Sequence, residues 1–186
     1  MPHRALFVDR PSLLLTETVE RGMPSVGVNT RALDALCRID PKLFRLMLVG
    51  NEEALAFERV PEARHARACT QIANALRRAH IPITADYTCA FSLAAPLARR
   101  KDSVFRLPNV GALKAARLEY DVELSTSWIV SDRAEAMLAG ARAGVRTALV
   151  RSPRNERRYD ITPDLVADDL GSAIRFLHKL QAVLSR

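Results

Sequence analysis

Two aspartates stand at the ends of short apolar segments, where parallel strands would bring them together. Asp9 follows the β-prone residues 4–8, and Asp132 follows closely on the apolar residues 127–130. Because open parallel sheets bind ligands at the carboxyl ends of their strands, both carboxylates would face one crevice. They would repel each other there unless a cation lay between them, and hard oxygen ligands suit Mg²⁺. The alternative is that each aspartate only caps the loop or helix after it.

The elements that must position these aspartates alternate along the chain. Strands are predicted at residues 4–8, 44–50, 81–88, 127–130 and 146–150. Helical spacing and capping residues predict helices from Asn29 or Thr30 to Ile39, Pro61 to Ala79, Pro108 or Asn109 to Tyr120, Ala134 to Gly144, and from about Asp168. This alternation predicts an α/β fold, a three-layer sandwich with a central parallel sheet. With the first strand central, the order reverses between strands one and four, which carry the two aspartates. Residues 89–108 are predicted to be a long loop.

The composition is that of a globular protein with a basic surface. The 186 residues are 48% hydrophobic, which suits one domain over residues 1–186. The start does not resemble a secretory signal, no stretch is apolar enough to span a membrane, and the three cysteines are widely spaced, so we expect a cytoplasmic location. The net charge of +7 attracts polyanions, but only 5% of the residues are aromatic, which argues against nucleic acid. We expect a phosphorylated small molecule or an acidic protein as the partner.

The chain contains four segments that form a series: ALFVDRPSLLL, LMLVGNEEAL, RLPNVGALKAA and WIVSDRAEAMLAGARAGVRTALV. In that order they resemble the motifs of the haloacid dehalogenase superfamily, and within it the capless phosphatases that act on heptose bisphosphate and histidinol phosphate. The resemblance implies a Rossmann-type sheet without a substantial cap domain, and Asp9 as the nucleophile. It also implies a Mg²⁺ site formed by Asp9, the Pro11 carbonyl group and Asp132, and phosphate contacts from Asn51 and Arg106.

The same segments depart from the family pattern at polar positions. Pro11 stands at the general acid/base position, and Gly50 replaces a phosphate-binding hydroxyl. Leu107 replaces the phosphate-binding lysine, and Ala136 replaces an aspartate that supports the metal site. Loss of a general acid alone lowers a rate by about 10² to 10⁴. We therefore expect a pseudoenzyme that binds a phosphorylated ligand or a protein partner.

Two alternatives stay open. In the first, the chain is an active Mg²⁺-dependent phosphomonoesterase that uses Asp9, with a basic side chain in place of the missing lysine. The candidates for that role are Arg106, Lys101 and Arg133. In the second, the chain is a basic interaction module that uses its charged loops at residues 99–106 and 151–158, which include Arg99, Arg100, Arg151, Arg154, Arg157 and Arg158. Those charges are otherwise solvated loop residues.

The other residues of metal-ligand type are expected to be structural. The heptose-phosphatase branch implies zinc ligands in the loop after the third strand, but only Cys89 matches and Phe91 stands near the expected histidine. Four ligands are needed, so no zinc is expected. Glu52 and Glu53 are expected to be helix-start charges. The histidines are expected at the surface or at helix ends, and they are His3, His65, His80 and His178.

Overall fold

The strands form a parallel sheet and a separate hairpin. The computed structural model describes residues 3–152 and 161–184. Its strands, in chain order, are β1 (Ala5–Asp9), β2 (Leu15–Glu20), β3 (Met23–Val28), β4 (Arg45–Val49), β5 (Ile83–Asp86), β6 (Trp128–Ser131), β7 (Arg146–Val150) and β8 (Leu165–Ala167). The sheet has the order β5–β4–β1–β6–β7–β8, with all neighbours parallel. The hairpin is the antiparallel pair of β2 and β3.

The centre of the sheet is β1, as the order of elements predicts. It pairs with β4 on one side and with β6 on the other. Both β1 and β6 are buried along their full length, as strands covered on two faces must be. The strand order therefore reverses between β1 and β6, and the predicted switch point is confirmed. Asp9 is the last residue of β1, and Asp132 directly follows β6.

Helices cover both faces of the sheet. In chain order they are α1 (Thr30–Leu36), α2 (Glu53–Ala56), α3 (Glu62–Arg78), α4 (Gly111–Tyr120), α5 (Ala134–Ala143) and α6 (Leu170–Leu184). Because successive strand residues point to opposite faces, each strand supplies two separate cores. Leu6 and Val8 pack in a cluster with residues of α1, α3 and α6, whereas Phe7 packs in a cluster with residues of α4 and α5. The predicted three-layer α/β fold is confirmed.

Helix ends differ from the prediction by one to three residues. Asn29 caps α1 by accepting a hydrogen bond from the Ala32 amide, as predicted, but the helix ends at Leu36 rather than Ile39. Beyond Leu36 the backbone makes three-residue turn bonds, such as the one from the Ile39 amide to the Leu36 carbonyl group. The turn between Arg106 and Asn109 likewise delays α4 to Gly111.

Several short elements are absent from the sequence-based prediction. A single π-helical turn (Arg10–Leu14) follows β1, and the β2–β3 hairpin follows that turn. Five of the six residues of β2 are exposed, so the strand lacks the alternating apolar pattern that would reveal it. The four-residue α2 and the three-residue β8 are too short for a periodic signal. Residues 89–108 form the predicted loop, interrupted by one 3₁₀ turn at Leu97–Arg99.

Within residues 3–152 and 161–184, no helix combines the length and the apolar character that a bilayer crossing requires.

Candidate functional site

The carboxylate of Asp9 is buried and already hydrogen-bonded. Its side chain lies at the carboxyl end of β1 and is 1% exposed. Oδ1 accepts a hydrogen bond from the Ser12 amide at 3.2 Å, and Oδ2 accepts one from the Ser131 hydroxyl at 2.6 Å. The Ser12 contact makes Asp9 the N-cap of the π-helical turn, which is the structural role considered for it from sequence. The Ser131 hydroxyl in turn accepts from the Arg133 amide.

Gly50 and Pro11 close over this carboxylate. Gly50 follows β4, and its φ of +124° lies in a region that suits only glycine. A Cβ atom at this position would collide with Asp9 Oδ1 and would lie 2.6 Å from Pro11 Cδ. The space left between Pro11, Asn51, Glu52 and Arg133 is about 30 Å³, roughly the volume of one water molecule. The crevice predicted at the switch point is therefore nearly filled at Asp9.

This environment makes Asp9 a weaker acid. Burial raises its pKa from 3.8 to about 6, because a desolvated carboxylate is disfavoured. The hydrogen bond from Ser131 and the positive charge of Arg133 oppose that rise, whereas the neighbouring Asp132 adds to it. The influence of Asp132 agrees with the expectation that the two aspartates face one region.

Asp132 lines an open cavity of about 580 Å³. Asp132 itself is buried, and the cavity extends from it between the start of α1, the end of β7 and the start of α6. Four arginines contribute to its wall, and they are Arg31, Arg38, Arg151 and Arg175. Four aspartates also line it, and they are Asp34, Asp132, Asp168 and Asp169. Arg31 pairs with Asp169 at 2.9 Å and Arg151 pairs with Asp168 at 2.9 Å, so carboxylates accompany the positive charge of the wall. Its size is that of small-molecule sites in proteins.

The three groups expected to hold Mg²⁺ do not fit that ion as they are arranged. Mg²⁺ prefers octahedral coordination and keeps several water molecules. Both oxygens of Asp9 already accept hydrogen bonds, and the space beside Pro11 has room for about one water molecule. Within the described part of the chain, no group of three or more His, Cys, Asp or Glu side chains could hold a metal ion.

Asn51 holds the backbone at the position of the missing lysine. Its side-chain amide donates to the Leu107 carbonyl group and accepts from the Leu107 amide, both at 2.9 Å. The Leu107 side chain is buried in the cluster that contains α4 and α5. Asn51 thus links two loops that are 56 residues apart in sequence. Phosphate binding by Asn51 stays a prediction, and the contacts that it makes are structural.

Of the three candidate substitutes for the lysine, Arg133 is the one that acts electrostatically on Asp9. Arg106 pairs with Glu53 at 2.6 Å and donates to the Phe91 carbonyl group, so its predicted phosphate contact would require new partners. Lys101 is exposed and lies over the Phe91 ring. Arg133 interacts electrostatically with Asp9, and its buried Nε has no hydrogen-bond partner among the residues that the structure describes.

The structure corrects the expectation for His65 and Glu52. Glu52 does stand just before α2, but it is buried rather than a solvated helix-start charge. It accepts hydrogen bonds from Arg10, at 2.6 Å from Nη2, and lies 2.6 Å from His65 Nε2. His65 lies in the first turn of α3, at a helix end as expected, but it is buried rather than at the surface. Arg10 also contacts Asp86 and Thr88. This buried network joins residues that lie far apart in the sequence, so no local spacing predicts it.

The remaining candidates fall outside the crevice. Cys89 is buried, and its thiol donates to the Phe91 carbonyl group; the expectation of no zinc at this loop stays a prediction. Arg99 pairs with Glu62. In the second basic loop, Arg151 is paired as described above, whereas Arg154, Arg157 and Arg158 lie outside the described residues.

Ser131 is the site residue that sequence reasoning missed. Its hydroxyl donates a hydrogen bond to Asp9 Oδ2. The haloacid dehalogenase motif that the segment WIVSD resembles has a glycine in place of this serine. The serine is visible in the segment WIVSD, so this departure from the motif can be read from the sequence. The contact itself cannot, because Asp9 and Ser131 are separated by 122 residues.

Comparisons with known proteins agree with the fold and the motifs. Residues 104–173 match the HAD-hydrolase-like family. The D-glycero-alpha-D-manno-heptose-1,7-bisphosphate 7-phosphatase of Burkholderia mallei is 33% identical over 97 residues, which cover 52% of this chain and 51% of that protein. A D-glycero-D-manno-heptose-1,7-bisphosphate 7-phosphatase of Thermosynechococcus vestitus is 31% identical over 40% of this chain and 41% of its own length. In these matches the chain spans about half the length of the relative or less.

A solved structure extends the likeness in fold to nearly the whole chain. The D,D-heptose 1,7-bisphosphate phosphatase from B. bronchiseptica, complexed with magnesium and phosphate, superposes with a TM-score of 0.75. The superposition covers 95% of this chain and 99% of that chain at 18% identity. The chain is therefore similar to haloacid dehalogenase-like proteins in part of its sequence and in its fold. Asp9 and Asp132 stand at the ends of neighbouring strands, and Pro11, Gly50 and Ser131 surround Asp9.

Proposed function

We propose that this haloacid dehalogenase-like protein is a pseudoenzyme that has lost most phosphatase activity and binds a phosphorylated small molecule. The observation that carries the proposal is the closure over Asp9. A carboxylate nucleophile must reach phosphorus in line with the leaving oxygen, but this one is 1% exposed and accepts two hydrogen bonds. The space of about 30 Å³ beside Pro11 is not lined by Asp9, so it gives this carboxylate no route to a phosphoryl group.

The substituted positions support the same proposal. Pro11 has no ionisable group with which to protonate a leaving oxygen or activate water. Leu107, at the position of the lysine, is buried in an apolar cluster, and Ala136 is buried in the same cluster. A basic group that stabilises developing charge contributes about 3 to 4 kcal/mol to a transition state. In this chain the buried Leu107 stands at that position and cannot supply such a charge.

The cavity beside Asp132 supports the binding part of the proposal. It is large enough for a sugar phosphate, and guanidinium groups from α1, α6 and the end of β7 line it. Planar guanidinium groups bind phosphate oxygens through paired hydrogen bonds. An acidic protein is the second expected partner, and the same positive groups would contact it. The cytoplasmic location stays a prediction from sequence.

A turnover assay tests the loss of activity. Purified protein with Mg²⁺ is incubated with an aryl phosphate and a panel of sugar phosphates, and released phosphate is compared between the wild type and Asp9→Asn. We expect no release by the wild type above that of the variant, because Asp9 cannot reach the substrate. Turnover that disappears in the variant would overturn the pseudoenzyme proposal.

A calorimetric titration tests the binding site. We expect sugar phosphates to bind the wild type and Arg38→Ala to weaken binding about tenfold, because one charge-assisted contact is lost. Arg142→Ala is the matched control, since Arg142 is an exposed arginine on α5 that does not line the cavity. Equal affinity of the two variants would place the ligand elsewhere.

One observation favours an active Mg²⁺-dependent phosphomonoesterase as the second candidate. Arg133 carries a positive charge beside Asp9 and has a buried Nε without a partner among the described residues. If Pro11 and Gly50 moved apart, Asp9 could attack phosphorus while Arg133 neutralised the phosphoryl oxygens. In the turnover assay this candidate predicts activity that is lost in both Asp9→Asn and Arg133→Ala.

A further inference from the structure

A buried polar cluster behind the crevice ends at a cysteine thiol. The cluster comprises Arg10, Glu52, His65 and Cys69. Arg10 Nη2 lies 2.6 Å from Glu52 Oε1, and His65 Nε2 lies 2.6 Å from Glu52 Oε2. The other ring nitrogen, Nδ1 of His65, lies 3.6 Å from Cys69 Sγ. Carboxylate, imidazole and thiol thus form one continuous hydrogen-bonded series.

Helix geometry explains why the imidazole meets the thiol. His65 and Cys69 are four residues apart on α3, so their side chains lie on the same helix face. Glu52 is fixed opposite them because it precedes α2 and is clamped by Arg10. Nucleophilic thiols in enzymes are commonly activated by an imidazole that a third group orients. The same arrangement occurs here, and Glu52 and His65 also line the small space beside Pro11.

The cluster places the imidazole of His65 against the Cys69 sulfur. Burial disfavours the imidazolium form of His65, but hydrogen bonds with Cys69 and Glu52 and the charge of Glu52 outweigh it and raise the pKa of His65 to about 9. Arg10 and His65 are then both cationic around one buried carboxylate, Glu52. Asp86, which also pairs with Arg10, is 40% exposed, so water screens its charge. The His65 imidazolium is thus held 3.6 Å from the Cys69 sulfur, where it can donate a proton to a departing oxygen.

The other two cysteines lack these partners. Cys37 is partly exposed like Cys69, but burial and the carboxylate of Asp34 raise the pKa of its thiol. Cys89 is buried and donates to a carbonyl oxygen. Cys37 therefore serves as the control for a partly exposed thiol without an imidazole partner, and Cys89 serves as the control for a buried thiol.

We propose that Cys69 is an activated thiol and a modification site for hydroperoxides. In the step, the Cys69 thiolate attacks one oxygen of hydrogen peroxide, an S–O bond forms and the O–O bond breaks. The departing hydroxide takes a proton from the His65 imidazolium and leaves as water. The products are cysteine sulfenic acid and neutral imidazole, so sulfur is oxidised by two electrons and peroxide is reduced.

Competition among the three thiols of one molecule tests this proposal. The reduced full-length protein is treated at pH 7.5 with limiting hydrogen peroxide and dimedone, which traps sulfenic acid, and the labelled peptides are quantified by mass spectrometry. We expect Cys69 to be labelled about tenfold faster than Cys37, because charge stabilisation of this kind controls thiol reactivity. Equal labelling of the two partly exposed cysteines would overturn the proposal.

Variants separate activation from simple exposure. His65→Gln keeps a hydrogen-bonding side chain next to Glu52 but removes the imidazolium, and we expect it to lower the Cys69 rate about tenfold while leaving Cys37 unchanged. Labelling of Cys89 reports any loss of folding, since that thiol is buried. If His65→Gln unfolds, the test moves to Glu52→Gln, which should also slow Cys69. An unchanged Cys69 rate in a folded variant would overturn the role of the imidazole.

Discussion

The crevice over Asp9 and the cavity beside Asp132 lie at the same edge of the sheet but differ in access. At Asp9 only about 30 Å³ remains beside Pro11, whereas the cavity beside Asp132 has about 580 Å³. The first is closed by backbone and ring atoms, and the second is lined by charged side chains. The two neighbouring strands therefore end in environments of opposite character.

Under the proposed function, this difference would separate the chemistry of the fold from its binding of a ligand. The positions at which the chain departs from the phosphatase motifs, Pro11, Gly50, Leu107 and Ala136, surround Asp9 or join the core. None of them lines the cavity beside Asp132. Apolar and backbone atoms thus surround Asp9 on one side of the switch point, whereas charged groups line the cavity on the other side.

The closure at Asp9 is most directly broken by adding a methyl group to Gly50. Gly50→Ala forces a Cβ atom against Asp9 and Pro11 and strains a backbone with φ of +124°. We expect urea denaturation to show a loss of about 4 kcal/mol in the free energy of unfolding, from overpacking and strain together. If the crevice were loose, the loss would be much smaller.

Gly22→Ala provides the matched control for Gly50→Ala. Gly22 has φ of +76°, but an added Cβ atom would meet nothing within 4 Å. We expect a loss of about 1 kcal/mol, from backbone conformation alone. Equal losses in the two variants would show that Asp9 and Pro11 do not pack tightly over Gly50.

The closed side should also become more stable when its charge is removed. Since burial raises the pKa of Asp9 from 3.8 to about 6, the folded state above pH 6 carries an ionised group that it disfavours. Asp9→Asn removes this charge, and the Ser131 hydroxyl can turn to accept from the new amide. We expect the variant to be more stable than the wild type by at most about 3 kcal/mol at pH 7.5.

The pH dependence gives the sign of this effect. Below the unfolded-state pKa, Asp9 is protonated in both states, so the advantage of Asp9→Asn should vanish as the pH falls from 6 towards 3.8. Asp169→Asn is the control of opposite sign, because hydrogen bonds from Ser172 hold the pKa of Asp169 below its ordinary value. A destabilised Asp9→Asn at pH 7.5 would mean that the carboxylate is needed in its ionised form.

Much of the fold could be predicted because its signals are local. Strands that are buried on both faces, such as β1 and β6, are continuous apolar runs, and Asn29 caps α1 from its own sequence position. The β2–β3 hairpin escaped because β2 is mostly exposed and lacks an apolar face. The signal available in the sequence was Gly22, which lies in the turn of the hairpin and adopts a positive φ there.

The candidate site was predictable in position but not in contacts. Asp9 and Asp132 could be placed at strand ends from sequence, and the substitutions around them could be read from the motifs. Pairings such as Asn51 with Leu107, or Arg106 with Glu53, join residues more than 50 positions apart. Whether a polar side chain faces a ligand or another loop depends on such tertiary contacts, which have no periodic signature.

The smallest expected effect concerns Mg²⁺, and it sharpens the contrast between the two sides. A ligand present at about 100 times its dissociation constant stabilises a fold by about 2.7 kcal/mol, so tight Mg²⁺ binding would raise the melting temperature by several degrees. The Ser131 hydroxyl donates a hydrogen bond to Asp9 Oδ2 and would compete there with a cation. We therefore expect millimolar Mg²⁺ to raise the melting temperature of the wild type by less than about 1 °C in a thermal-shift measurement.

Ser131→Ala removes that hydroxyl while keeping the Cβ atom and the backbone preference. If the hydroxyl is what excludes the cation from Asp9, Mg²⁺ should stabilise this variant more than it stabilises the wild type, and adding Asp9→Asn should abolish the difference. A Mg²⁺ response of equal size in the wild type and in Ser131→Ala would mean that the ion binds elsewhere, and the carboxylates around the Asp132 cavity would then be the next to substitute.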